Sequence, residues 1–258
     1  MSEDTDKSVP QRVEDGDLIG LFHSWNAETN GFTEEESRRR LGAVRSLGRK
    51  AYSRILKTAM TISLALHKSR AAVYSEIGFL LLVRQASYRY GPVPIDHPVL
   101  LNMLSTPGDK TIIDFGCGVP IQSIQMAKRL IDNGTKTLLV LCDVPSIRKG
   151  FVSWICDGSN IPFEWIDASD DIPSLPRCDA LIAMDFLEHM EDPMAYVRAF
   201  DSAIVDGGVF MGVLQVFMGG EDHVSPNLVG VRRFLMDNGY ENTSKVTYVK
   251  RKGDGREH

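Results

Sequence analysis

The stretch Ile112-Ile113-Asp114-Phe115-Gly116-Cys117-Gly118-Val119-Pro120 constrains this chain more than any other. A mostly apolar run of strand type enters two glycines without a spacer, and a helical pattern starts at Ile121. Glycine is needed where a backbone turns sharply and must approach a ligand with no Cβ in the way. Amides at the start of the following helix then face that ligand. A strand, a glycine turn and a helix also form an ordinary connection, so the rest of the chain decides between the two readings.

Beyond Pro94 the same rhythm repeats, with short apolar runs alternating with helical segments. That alternation predicts an α/β fold whose mainly parallel sheet is covered by helices. Strands are expected at 111–115, 137–142, 163–167, 180–184 and 209–213, and a last strand or hairpin at 240–250, divided into 241–243 and 245–250. Helices are expected at 121–133, 193–204 and 227–238, with Gly134 and Gly239 as stops.

The N-terminal third reads differently. Residues 1–16 are polar and carry Pro10 and Gly16, which predicts a mobile tail. Leu18, Leu21, Phe22 and Trp25 predict a short amphipathic helix over 17–25, followed by an Asn30-Gly31 turn. Thr33 with Glu36 three residues on has the spacing of a capping box. Helical spacing then runs to about residue 90, with Gly42, Gly48 and residues 67–70 as candidate breaks. Gly91-Pro92-Val93-Pro94 ends it, because proline lacks an amide donor and disfavours helix before it. The expected organisation is a tail at 1–16, a helical cap at 17–93 and an α/β domain at 94–258.

At 258 residues and 43% apolar composition the chain can bury its own core. Its apolar runs fall well short of the ~20 residues that span a bilayer, and the acidic residues 1–6 lack a secretory pattern. A cytoplasmic protein is expected. Cys117, Cys142, Cys156 and Cys178 form no CxxC pair and read as small buried residues. With the histidines dispersed as well, no metal site is legible. Net charge is −5, yet residues 37–75 hold ten Lys or Arg and no Asp or Glu. That segment reads as a solvated surface or as a face for an anionic substrate, RNA or an anionic membrane.

The Asp114-x-Gly116-x-Gly118 spacing resembles motif I of the class I S-adenosylmethionine-dependent methyltransferases. Cys178 to Pro193, with its Leu187-Glu188-His189 and Asp192-Pro193 pairs, resembles the fourth strand and its exit in small-molecule members of that family. Asp206-Gly207-Gly208 matches the family's turn before the fifth strand. The resemblance covers residues 97–250. It implies a Rossmann-like sheet of seven strands with the last antiparallel, and S-adenosylmethionine as cofactor. Asp114, Gly116 and Gly118 would then lie at its methionine end, Asp143 at the ribose, and Asp167 with Ala168 at the adenine. Asp170 and Asp171 compete with Asp167, and Pro120 departs from the family's third small position.

For an acceptor that must lose a proton, His189 and His223 are candidate bases, since histidine titrates near neutrality. Asp185 and Glu188 are further candidates on the acceptor side. His189 reads equally as a cap for the helix beginning near Pro193, and His223 as an exposed residue of a loop at 218–226 that could serve as a lid. The expected reaction is methyl transfer to a small acceptor, with an anionic molecule favoured by the basic segment. RNA methylation and a noncatalytic partner subunit are the alternatives. A nicotinamide oxidoreductase would favour a third glycine at position 121, where Ile121 stands.

Overall fold

The computed structural model describes residues 7–46, 48–66, 69–86, 91–94, 96–214 and 228–251, with backbone alone at 34, 40, 43–46, 48–50, 70 and 86. Six helices come first: α1 (Val9–Glu14), α2 (Leu18–Asn30), α3 (Glu34–Ser46), α4 (Gly48–Leu66), α5 (Arg70–Glu76) and α6 (Gly78–Ala86). The α/β part follows as α7 (Pro98–Leu104), β1 (Lys110–Phe115), α8 (Ile121–Asp132), β2 (Thr137–Asp143), α9 (Ile147–Gly158), β3 (Phe163–Asp167) and β4 (Cys178–Ala183). A 3-10 turn at Leu187–His189 leads to α10 (Pro193–Ala203), β5 (Ile204–Gly212), α11 (Leu228–Asp237), β6 (Tyr240–Asn242) and β7 (Thr247–Lys250).

Among the described residues the strands form one seven-stranded sheet in the order β3-β2-β1-β4-β5-β7-β6. The pairs β1·β2, β1·β4, β2·β3 and β4·β5 are parallel, whereas β7 runs antiparallel to β5 and β6. The sheet is Rossmann-like, with the last strand reversed as expected. Period-two alternation sends neighbours to opposite faces. Ile112, Leu139 and Leu141 enter the layer under α8 and α9, while Ile113, Val140 and Cys142 enter the layer under α10 and α11. Continuous apolar strands are what burial on both faces requires.

Two expectations are corrected. Residues 1–16 are not a tail throughout, because α1 buries Val13 fully and leaves Arg12 1% exposed. Arg12 donates to the Asp17 carboxylate at 2.8 Å, and Gln125 of α8 donates to the Val13 carbonyl at 2.7 Å. These bonds satisfy polar groups that burial would otherwise leave unpaired. The 17–93 segment also divides: α2 packs Phe22 and Trp25 against Phe151 of α9, so it joins the core layer. Thr33 and Glu36 do form the capping box, with Glu36 N donating to Thr33 Oγ1 at 3.1 Å and Thr33 N to Glu36 Oε2 at 3.0 Å.

The second correction concerns Asp206-Gly207-Gly208. Rather than preceding the fifth strand they lie within β5, where the pairing slips from Cys178–Ile204 to Ala180–Val209. Gly207 adopts φ +81, so the turn chemistry is absorbed as an irregularity in the strand.

Candidate functional site

The sheet order reverses direction between β1 and β4, and open α/β sheets bind ligands at the carboxyl ends beside such a switch point. A cleft of about 1370 Å³ lies there. One wall comes from the segments that leave β1, β2, β3 and β4, and the other from α4, α5 and α6 through Leu56, Lys57, Met60, Tyr74, Arg84 and Gln85. Single small-molecule sites reach about 1,000 Å³. This cleft has room for a nucleoside cofactor and a second molecule.

The glycine loop is held in a defined shape. Gly116 and Gly118 have φ of +68 and +55, a region that L side chains rarely adopt. A Cβ on Gly116 would come 2.5 Å from Phe186, and one on Gly118 would come 2.3 Å from the Gln85 amide nitrogen. Gly116 N donates to the Cys142 carbonyl at 2.7 Å, and Gly118 N to Asp143 Oδ2 at 2.7 Å. Pro120 serves as the residue before α8, where its missing amide costs nothing.

Asp114 and Asp143 are each 7% exposed and both line the cleft. Burial pushes the Asp114 carboxyl up to about 7, against the opposing effect of a hydrogen bond from Ser123; the nearby Asp143 charge adds to the rise. Asp143 is anchored further: Val144 N donates to Oδ1 at 2.7 Å, and Arg148 Nη2 lies 3.3 Å from each carboxylate oxygen. Arg148 is itself 6% exposed. Sequence reasoning missed it, although a cation in the first turn of α9, where the helix dipole opposes it, signals an acid close by.

The structure separates two residues that the sequence had joined. Ala168 lines the cleft, but Asp167 does not. β3 is the edge of the sheet, and Asp167 at its end is exposed and paired with Lys149 at 3.0 and 3.1 Å. Asp170 lines the cleft instead and accepts from Ala71 N of α5 at 3.4 Å.

Past β4, Asp185 sits in the left-handed region at φ +49, and the chain curls through Phe186, Glu188 and His189 along the cleft. Phe186 packs on Phe115 at 4.9 Å and on Tyr196 at 5.1 Å, so an aromatic cluster carries this segment. Glu188 is 7% exposed, and its Oε2 has no hydrogen-bond partner among the described residues. Asp192 caps α10, its carboxylate accepting from Met194 N and Ala195 N at 3.1 Å. His223 and the 218–226 loop lie outside the described residues. Among the described residues there is no group of acids, cysteines and histidines suited to a metal ion.

No protein-family model matches the sequence, and no curated protein matches it either. Solved structures do. Magnesium protoporphyrin IX methyltransferase (ChlM) from Synechocystis PCC 6803, solved with bound S-adenosylmethionine, is 18% identical, with 69% of this chain and 93% of that chain covered and a TM-score of 0.48. A Listeria monocytogenes protein described as a class I S-adenosylmethionine-dependent methyltransferase is 11% identical over 97% of this chain and 90% of its own, with a TM-score of 0.48. The cyclase SpnF is 17% identical over 56% of this chain, with a TM-score of 0.40, and the chain spans just over half (57%) of its length. These likenesses concern the fold.

Proposed function

We infer that this chain binds S-adenosylmethionine in the cleft and transfers its methyl group to a small-molecule acceptor. The observation that carries this reading is the Gly116-Cys117-Gly118 loop, tied to the buried Asp143 at the switch point of the sheet. The residues present fit the cofactor. Asp143 accepts three hydrogen bonds and keeps at most one acceptor site, on Oδ2, for a ribose hydroxyl, Asp114 lies beside the glycine loop, and Ala168 offers an apolar wall for a base. When bound, S-adenosylmethionine supplies a methyl group already activated by its sulfonium, so the protein's task is alignment and exclusion of water.

Phe186, Tyr196 and Tyr74 give the acceptor apolar walls, and Asp185, Glu188 and His189 lie on the same stretch of cleft as groups able to take a proton or orient a donor. The case for an anionic acceptor rests on Lys57 and Arg84, which line the helical wall. Arg54 and the other described cations of segment 37–75 are not among the lining residues, whereas Asp170, Asp185, Glu188, Glu191 and Asp192 are. The local charge therefore favours a small acceptor of mixed or positive charge over a purely anionic one.

Isothermal titration with S-adenosylmethionine, S-adenosylhomocysteine and NAD is the decisive measurement. Both sulfur compounds should bind and NAD should not. Gly116→Val should abolish that binding while circular dichroism reports a folded protein, since a branched side chain meets both the +68 dihedral and Phe186. Binding of NAD without S-adenosylmethionine would overturn the reading.

A further inference from the structure

Ten large apolar side chains are exposed among the described residues, and four of them lie within one helix. These are Ile55 (43% exposed), Ile62 (55%), Leu64 (46%) and Leu66 (70%) of α4. The other six are spread over four further helices, so α4 holds the main concentration. Ile55, Ile62 and Leu66 follow helical spacing of seven and four, which places them on one stripe. Leu56 and Ser63, which are buried, mark the inward side of the same helix.

The apolar stripe sits in a strongly basic setting. Arg54 of α4 lies on the flank of the stripe and is exposed, as are Arg38 and Arg39 of α3, whereas Lys57 faces the cleft; the sequence from 37 to 75 contains ten cations and no acid. An exposed apolar helical stripe with cations beside it is the combination that lies flat in the interface of an anionic bilayer. We propose that α4, with the basic end of α3, docks this protein on an anionic lipid surface. No described helix is long and apolar enough to cross a membrane, and the association proposed is a peripheral one.

Charge and chemistry distinguish this partner from the others. A twofold-symmetric contact with a second copy would set one basic segment against the same segment of its mate, which like charges oppose. A nucleic acid would engage the cations, but its bases stack on aromatic side chains, and the exposed stripe is aliphatic. A lipid interface takes both components, headgroups for the cations and acyl chains for Ile62 and Leu66.

The test is cosedimentation of the full chain with phosphatidylcholine vesicles with and without phosphatidylglycerol. Binding should require the anionic lipid and weaken with salt. Arg54→Gln should lower the partition coefficient about fivefold, the usual worth of one cation near such a surface. Ile62→Asp with Leu66→Asp should lower it at least tenfold, with an unchanged melting temperature because neither side chain is buried. Three results would overturn the proposal: no binding to anionic vesicles, an Ile62→Asp/Leu66→Asp protein that binds like wild type, or light scattering that shows a dimer dissociated by those changes. Tight binding of a single-stranded oligonucleotide that depends on Arg54 but not on Ile62, without vesicle binding, would assign the face to RNA instead.

Discussion

The two walls of the cleft are built in opposite ways. On the sheet side the two buried aspartates are fixed by neighbours, with Asp143 bonded to Gly118 N, Val144 N and Arg148, and Asp114 bonded to Ser123. On the helical side α5 touches the sheet side through a 3.4 Å contact from Ala71 N to Asp170 and a bond from Ser75 to the Pro145 carbonyl. A wall held by buried charge is set before any ligand arrives, which suits a nucleoside of fixed shape. On the helical wall α6 buries Leu82 and Val83 in the core, and only the α5 margin, held by exposed contacts, is free to vary with a proposed acceptor.

The largest effect should come from the sheet wall. Asp143→Ala strands the buried Arg148 guanidinium, so unfolding in urea should show a loss of about 3–5 kcal/mol. Adding Arg148→Met removes the orphaned charge and should recover most of it; a double variant no better than the single one would deny that the pair organises this wall.

Protonation of Asp114 should follow in size. Its folded value of about 7 lies above the ordinary 3.8, so the folded chain binds the proton more tightly than the unfolded chain. The stability this group contributes is complete below about pH 4, falls as pH rises toward 7 and is lost above it. Asp114→Asn should lack that slope, and near pH 8 it should exceed wild type by a few kcal/mol. Parallel stability curves for the two proteins between pH 4 and 8 would refute the assignment.

The helical wall should respond least. The Tyr52 hydroxyl donates to the Leu80 carbonyl and joins α4 to α6. Tyr52→Phe should cost about 1 kcal/mol. A loss as large as that of Asp143→Ala would mean that the two walls do not differ in kind.

What was legible in the sequence follows the same division. Strands buried on both faces must be continuously apolar, so β1 and β2 are readable within a residue or two of their ends, and the glycine loop declares itself by composition. Residues 9–14, Val-Pro-Gln-Arg-Val-Glu, carry no such mark. Their order comes from Asp17 and Gln125, partners that only the folded chain brings near. The surroundings of Asp167 were hidden for a related reason, because nothing local tells an acid at an edge strand that Lys149 will pair with it. The amphipathic pattern in α2 and α4 is similar as text, yet α2 buries Leu21, Phe22 and Trp25 while α4 leaves Ile62 and Leu66 outside. Periodicity gives a helix a face without saying what that face meets.

Asp185 is where fold and activity pull apart. Holding an L residue in the left-handed region costs about 1–2 kcal/mol, less for aspartate than for most. Asp185→Gly should therefore melt higher, and by the reading above it should turn over more slowly, because the carboxylate leaves the cleft. A selection for thermal resistance alone would favour that change, whereas a selection for the proposed methyl transfer would keep the strained residue.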